Sequence, residues 1–424
     1  MKQSANQGIP KFWPLKRLHY GWAIVFASFL STFAEVPGFG PVLGVFIKPI
    51  QDELGWSRAA ISMGFLIGSV AGALASSITG RLVDRFGPRA VVSIAGIVIA
   101  LSLVGLSLMQ EIWQYWAFFG LARGSAIAGV EIGTSVAVAQ WFIRQRGRAL
   151  AIKAVGQRSG QAILPIAIFV VMAWSDWRHA YLALSVFAIL SITLPAYVLL
   201  RSKPEKYGLY PDGLDINDPD NNPKSIQHEE SWTLNEAKKT KAFWLITFFL
   251  MCTPFVQGAT NLHMVANFQD KGLPDIQAVS IASIFAATSA LSIIPIGFAL
   301  EKIHVRTGAI VQAILVLLSM LLMLFADNYP LAILWALIFG VGAGMRNVVE
   351  VLLIANYFGR ESLGTIKGFT APFRAISPVG PVLAGFIRDQ TGSYDIAFML
   401  FAVVAIIMII LMIGAKQPSK REKG

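Results

Sequence analysis

Polar and apolar residues in this chain are segregated into long blocks rather than interleaved at a helical or strand period. Twelve apolar stretches can be drawn, at about 21–48, 58–79, 89–109, 113–139, 149–173, 179–200, 242–264, 277–298, 308–326, 330–356, 363–386 and 394–414. A helix of about 20 apolar residues crosses the hydrocarbon core of a bilayer with every backbone N–H and C=O satisfied inside the segment. The pattern therefore predicts an all-α membrane protein of twelve transmembrane helices. One polar interruption is long: 201–241, rich in Pro, Asp and Asn, reads as a mostly irregular linker with helix near 233–241. The expected domains are a leader (1–20), a six-helix bundle (21–200), the linker (201–241), a second six-helix bundle (242–414) and a tail (415–424).

Composition supports lipid as the solvent. Only 14% of the 424 residues are charged, against roughly 25% in soluble domains. The first span is too long for a signal-peptide core and no small-residue cleavage site follows it, so the basic leader is expected to be retained. With both termini inside, the cytoplasmic segments hold 25 of the 35 Lys and Arg, and the outside segments hold only Lys48, Arg58, Arg178, Lys271 and Arg388. This positive-inside bias predicts cytoplasmic termini. The formal charge of +11 is thus a topology signal spread over short loops, and nucleic acid is not an expected partner. Cys252, the single cysteine, excludes an intrachain disulfide and reads as a small buried hydrophobe.

The two sides of the linker resemble each other. "AQWFIRQRGRALAI" (139–152) aligns with "ANYFGRESLGTIKG" (355–368) at an offset of 216, and "GRLVDRFGPR" (80–89) aligns with "GFALEKIHVR" (297–306) at 217. Six spans repeated in one orientation are a parallel repeat, of the kind that places a transport site at the midplane between halves. Carried onward, the first offset sends Arg158 to Arg374.

"GRLVDRFGPRAVV" resembles the loop-two-three signature of the major facilitator superfamily, Gly-x-x-x-Asp-Arg-x-Gly-x-[Arg/Lys]. "GLARGSAIAGVEIG" (120–133) resembles that family's fourth-span motif around Arg123. Gly80 and Gly87 let the loop turn and pack tightly, and Asp84 suits a neighbouring helix N-terminus. Arg85 and Arg89 are expected to pair with carboxylates. In the family this cluster latches the two halves. "GWAIVFASFL…GVFIKPIQDELGWSRAAIS" (21–62), "WFIRQRGRALAI" and "ISPVGPVLAGFIRDQTGSYDIAF" (376–398) look like the bacterial monocarboxylate porter and oxalate/formate antiporter branch, which implies organic-anion substrates. The chain departs from the monocarboxylate branch by carrying Glu35 where a basic residue stands in span one, and by an uncharged span eight.

A charge at the bilayer centre costs about 2.5–3.5 kcal/mol on insertion scales, so each buried charge needs a partner or a purpose. Arg346 and Glu350, four apart, are expected to form an intrahelical pair. Arg123 and Glu131, eight apart, lie roughly on one face and would bridge through a neighbouring helix or water. That leaves Arg158 and Arg374 as a symmetric anion clamp, since a guanidinium fork matches a carboxylate, with Gln157 and Gln161 as flanking neutral donors. The alternative is that each arginine pairs within its own half. Glu35, an in-span acid with no basic i±4 neighbour, is the candidate proton carrier or a fixed counter-ion, with Arg123 and Glu131 as coupling partners. Asn261 and His263 are further pocket candidates, the histidine more simply read as structural. Phe39 and Phe373 fit packing. "EVPGFGPVLG" (35–44) predicts a bent or locally broken first span, and "GSVAGALASS" (68–77) predicts close helix packing.

The sequence thus points to a secondary transporter of small organic anions in a bacterial inner membrane. It would be a monomer driven by proton symport or anion exchange. No Gly-x-x-x-x-Gly-Lys-[Ser/Thr] is present, so ATP is not the expected energy source, and neither a cofactor, a metal nor an enzymatic nucleophile–base set is expected. The alternatives are a proton-driven exporter, for which "GQRSGQAILP" is only a partial motif, and a non-transporting receptor.

Overall fold

The computed structural model describes residues 19–35, 40–56, 58–213, 231–377 and 379–418. Among these residues the secondary structure is helical, without strands. Among the described residues, nine helices are long and apolar enough to cross a membrane. The helices are α1 (Gly21–Phe33), α2 (Gly40–Leu54), α3 (Arg58–Phe86), α4 (Pro88–Ser107), α5 (Ile112–Ser125), α6 (Ile132–Trp141), α7 (Arg146–Trp174), α8 (Trp177–Ala188) and α9 (Leu194–Leu199). They continue with α10 (Leu234–Ala237), α11 (Lys241–Asp270), α12 (Asp275–Lys302), α13 (Val305–Phe325), α14 (Tyr329–Phe358), α15 (Leu363–Thr370), α16 (Val379–Thr391) and α17 (Asp395–Gly414). The chain divides into two compact units, 1–231 with 359–372, and 232–358 with 373–424.

Four of the apolar stretches are not single regular helices; the sixth passes from α8 through a π-helical turn, Ile189–Thr193, into α9. The first ends at Phe33 and resumes at Gly40, as its glycines and prolines suggest; Val36 to Phe39 lie outside the described residues. The fourth passes from α5 through a π-helical turn, Ala126–Glu131, into α6. The eleventh runs from α15 through a 3₁₀ turn, Ala371–Ile376, before α16. Pro372 removes a donor there and Pro378 bars helix at the residue before it. Past α9, the linker forms short 3₁₀ turns at Pro204–Tyr207 and Pro211–Gly213. It closes with α10, where Thr233 and Glu236 make a reciprocal capping box.

In the first unit, small residues let backbones touch. Gly68, Gly72, Ser76 and Gly80 fall four apart on one face of α3. The first two meet Arg123 and Gly124 of α5, and the last two meet α15. A Cβ on Gly80 would stand 2.0 Å from the Gly364 carbonyl oxygen, and one on Gly368 would stand 2.2 Å from that of Ser76. The Ser77 hydroxyl donates to the Gly368 carbonyl at 3.1 Å. Gly87 turns the chain into α4 with a φ of 86°, left-handed backbone that suits glycine.

The second unit is built around Trp335, Phe268, Phe285 and Phe339, which stack in one buried cluster with Trp335 and Phe339 centroids 5.2 Å apart. On α17, Phe398, Phe401, Ala405, Met408 and Met412 are buried, while Met399, Val403, Ile406, Ile410 and Ile413 face outward. A helix apolar on both faces needs lipid on its outer side.

The repeat is visible in hydrogen bonds that each unit makes for itself. The Trp141 indole donates to the Ser202 carbonyl at 2.7 Å, just past α9. Its partner in the alignment, Tyr357, donates to the Ala415 carbonyl at 2.6 Å, just past α17. The ends of α4 and α13 are capped from helices that do not correspond in the repeat: Arg178, at the start of α8, donates to the Ser107 and Met109 carbonyls, and Lys271, just past α11, donates to those of Met323 and Leu324.

Gly80→Ala should cost about 1–3 kcal/mol, because the added methyl overlaps backbone that cannot rotate away. Gly342→Ala, whose Cβ would meet only an ordinary contact at 3.4 Å, should be neutral or stabilising. Thermal unfolding of the two purified variants checks the contrast.

Candidate functional site

The signature loop of the first unit docks onto α15. Asp84 accepts from the Gly364 N–H at 3.1 Å (Oδ1) and from the Thr365 N–H at 2.7 Å (Oδ2). It thus satisfies the unpaired donors of that helix start and complements its dipole. This is the helix-terminus role its position suggests. Arg85 and Arg89 differ from expectation: among the described residues neither has a carboxylate partner. Arg89 lies over the Tyr197 ring at 4.3 Å and Arg85 over Phe86 at 5.2 Å. The carboxylate of the motif is already committed to backbone, and a guanidinium stacks readily on an aromatic face.

Deeper in the same unit, three helices converge on Glu131. Its Oε2 pairs with Lys153 Nζ at 2.6 Å and its Oε1 with Lys367 Nζ at 3.1 Å. Ser135 Oγ donates to Oε1 at 3.1 Å and accepts from Lys153 at 2.9 Å and from Lys367 at 2.8 Å. Arg123 turns the other way, donating through Nε to Ser69 Oγ at 2.8 Å and lying over the Phe65 ring. The expected Arg123–Glu131 bridge is therefore replaced by Lys153 and Lys367. Neither lysine is singled out by helical spacing, and Lys367 sits inside α15 at 1% exposed. The usable signal was apolar flanks, "AIKAV" and "TIKGF".

Glu35 ends α1 beside this cluster. It is buried, and its Oε2 has no hydrogen-bond partner. The charges acting on it are Glu131, Lys153, Arg123 and Lys367. Its helix is held to α7 where Gly156 meets the Phe29 carbonyl and the Thr32 hydroxyl bonds the Lys153 carbonyl at 3.0 Å. Further along α7, Arg158 Nη1 reaches Gln161 Oε1 at 3.3 Å, and Gln157 is half-buried beside it.

In the second unit, Arg374 sits in the 3₁₀ turn and pairs with Glu350. Arg346 donates to Gln257 Oε1 at 2.9 Å. The ion pair of Glu350 thus spans two helices, where the i,i+4 spacing had suggested Arg346. The break at 371–376 brings Arg374 to it. His263 is hydrogen-bonded on both ring nitrogens: Nε2 donates to the Pro381 carbonyl at 2.9 Å, and Nδ1 meets the Tyr394 hydroxyl at 3.1 Å. Asn261 is exposed. Phe373 packs on Trp244, and Phe39 lies outside the described residues.

At the far end of α2, Glu53 accepts from the Trp177 indole at 2.6 Å and from Arg178 at 2.8 Å. The Arg178 hydrogen bond, with that of Trp177, holds its carboxyl below the usual range.

Membrane-length helices around buried, paired charges define an integral membrane protein, and no group of metal ligands occurs among the described residues. The family model of the Major Facilitator Superfamily matches residues 21–377 and 259–424, so the chain belongs to that family of transporters. It is a transporter rather than an enzyme. It is similar to an MFS-type transporter of Gibberella moniliformis, 24% identical over 88% of this chain and 84% of the relative. It is also similar to monocarboxylate transporter 13 of Rattus norvegicus, 21% identical over 90% and 85%. Among solved structures, a proton:xylose symporter, XylE, bound to 6-bromo-6-deoxy-D-glucose shares the fold. Its TM-score is 0.73 at 14% identity, over 94% of this chain and 96% of that one.

Two predictions follow the geometry. Glu350→Gln strands the Arg374 charge and should cost about 3 kcal/mol, whereas Glu350→Met with Arg374→Met should recover most of the stability; chemical unfolding of both variants checks this. The depressed Glu53 carboxyl contributes stability above the unfolded value of about 4.3, and that stability fades as pH falls through the lower native value. Glu53→Gln should therefore flatten the acid limb of a melting-temperature profile.

Proposed function

We propose that the protein carries small organic anions, monocarboxylates in particular, across a bacterial inner membrane by alternating access of two six-helix halves. In this reading α1 with α2, α5 with α6, and α15 with α16 each make one crossing and bring the nine membrane-length helices to twelve. The positive-inside bias supports cytoplasmic termini. The single observation that carries the reading is the charge balance within the crossings. Six cations, Arg123, Lys153, Arg158, Arg346, Lys367 and Arg374, stand there with only three carboxylates, Glu35, Glu131 and Glu350. An intramembrane excess of positive charge suits an anionic cargo and disfavours a cationic one. The similarity to a monocarboxylate transporter of the rat supports the same class.

Arg158, flanked by Gln157 and Gln161, takes the cargo carboxylate in this mechanism. Arg374 carries Glu350 as its resident counter-ion. One arginine held this way favours monocarboxylates over dicarboxylates. Glu35, buried among the charges of the first unit, carries the proton that accompanies the anion.

A ligand panel scored by thermal stabilisation tests this. Monocarboxylates should stabilise the wild type, neutral and cationic compounds should not, and Arg158→Gln should weaken the hits at least about tenfold. Glu35→Gln should bind the hits yet lose pH-driven uptake into proteoliposomes. Undiminished binding by Arg158→Gln would remove that residue from the site.

A further inference from the structure

The buried cluster around Glu131 has the form of a filled binding site. Two ammonium groups, from α7 and α15, and one hydroxyl, from α6, converge on one carboxylate. The side chains of Lys153 and Lys367 are 7% and 1% exposed, and that of Glu131 is 28% exposed. The donors are thus locked in protein, while the carboxylate they hold is the part open to the outside. Ser135 Oγ accepts from both lysines, so its own proton is directed to the carboxylate, as the bond to Oε1 shows. The three donors are placed by packing rather than by Glu131 itself. Lys153 lies one turn from the Gly156 crossing, and Lys367 lies between the interlocked Gly364 and Gly368. Glu131 ends a π-helical turn, an element frequent at functional sites. A purely structural role is a poor explanation for buried lysines, because apolar residues of similar volume stabilise as well or better.

We infer that Lys153, Lys367 and Ser135 form a carboxylate-binding cradle, occupied here by the protein's own Glu131 and open to a small monocarboxylate when Glu131 swings aside. This rests on the anion-transport reading and adds to it a second anion station in the first unit, apart from Arg158 and Arg374. The cradle holds one carboxylate between two ammonium groups, so it selects by a single charged head and leaves the rest of the cargo at the open side.

The test uses the full chain in detergent, with formate as the probe and thermal stabilisation as the readout. Glu131→Ala removes the resident competitor and should bind formate at least about tenfold more tightly than the wild type, and adding Lys367→Met should abolish the gain. Glu131→Gln, nearly isosteric, should shift in the same direction and serves if the alanine variant does not fold. Formate binding that is no tighter in either variant overturns the cradle, as does a gain that survives Lys367→Met. If monocarboxylates stabilise the wild type through Arg158 while Glu131→Ala gains nothing, the cradle falls alone. If no organic anion stabilises any of the proteins, the transport reading falls with it.

Discussion

An ion inside a bilayer has no water to fall back on, and this requirement organises the described structure. Each unit answers it locally. Glu131 gathers two lysines in the first, Glu350 takes Arg374 in the second, and Arg123 leans on a serine hydroxyl and an aromatic face. Desolvating such ions costs several kcal/mol apiece after relaxation, so the helices bearing them are fixed in register by their partners. The close backbone approaches are the complement of this constraint. With lipid outside as apolar as the core, association relies on packing and hydrogen bonds, which the α3–α15 glycine contacts and the Asp84 cap supply together.

Much of this was legible before any coordinates. Block hydropathy is a one-dimensional property, so the apolar stretches, the linker and the break in the first span could be read directly. The repeat was equally plain, because Trp141 and Tyr357 do the same work at matching places. The Asp84 cap followed from its motif. The partners of buried charges were less accessible, for a physical reason: helical spacing reports neighbours on one helix, whereas these ions choose partners on others. Arg346 and Glu350 satisfied an i,i+4 rule, yet Glu350 reaches Arg374 once a 3₁₀ turn intervenes. Lys153 and Lys367 have no acidic i±4 neighbour, so nothing on their own helices points to Glu131.

Irregular helical turns recur where the chemistry is. Glu131 closes a π-helical turn, Arg374 occupies a 3₁₀ turn, and Glu35 stands where the first helix stops. Each is a place where the backbone ladder is incomplete or reshaped, and each is tolerated because side chains or neighbouring helices complete it.

The π-helical turn also bears on how such a chain can change over generations. It is one surplus residue carried in an otherwise regular helix. Removing a single residue between Ala126 and Val130 would restore α-helical winding and leave the later side chains of α6, Trp141 included, on nearly the faces they occupy now, because the wide turn is what absorbs the surplus residue. Point substitutions can adjust the ions of this unit one at a time. An in-frame loss of one codon in that turn would be absorbed locally, whereas one in the regular winding of α6 would rotate everything after it by about 100° at once, so length is freer to change in the turn than beyond it.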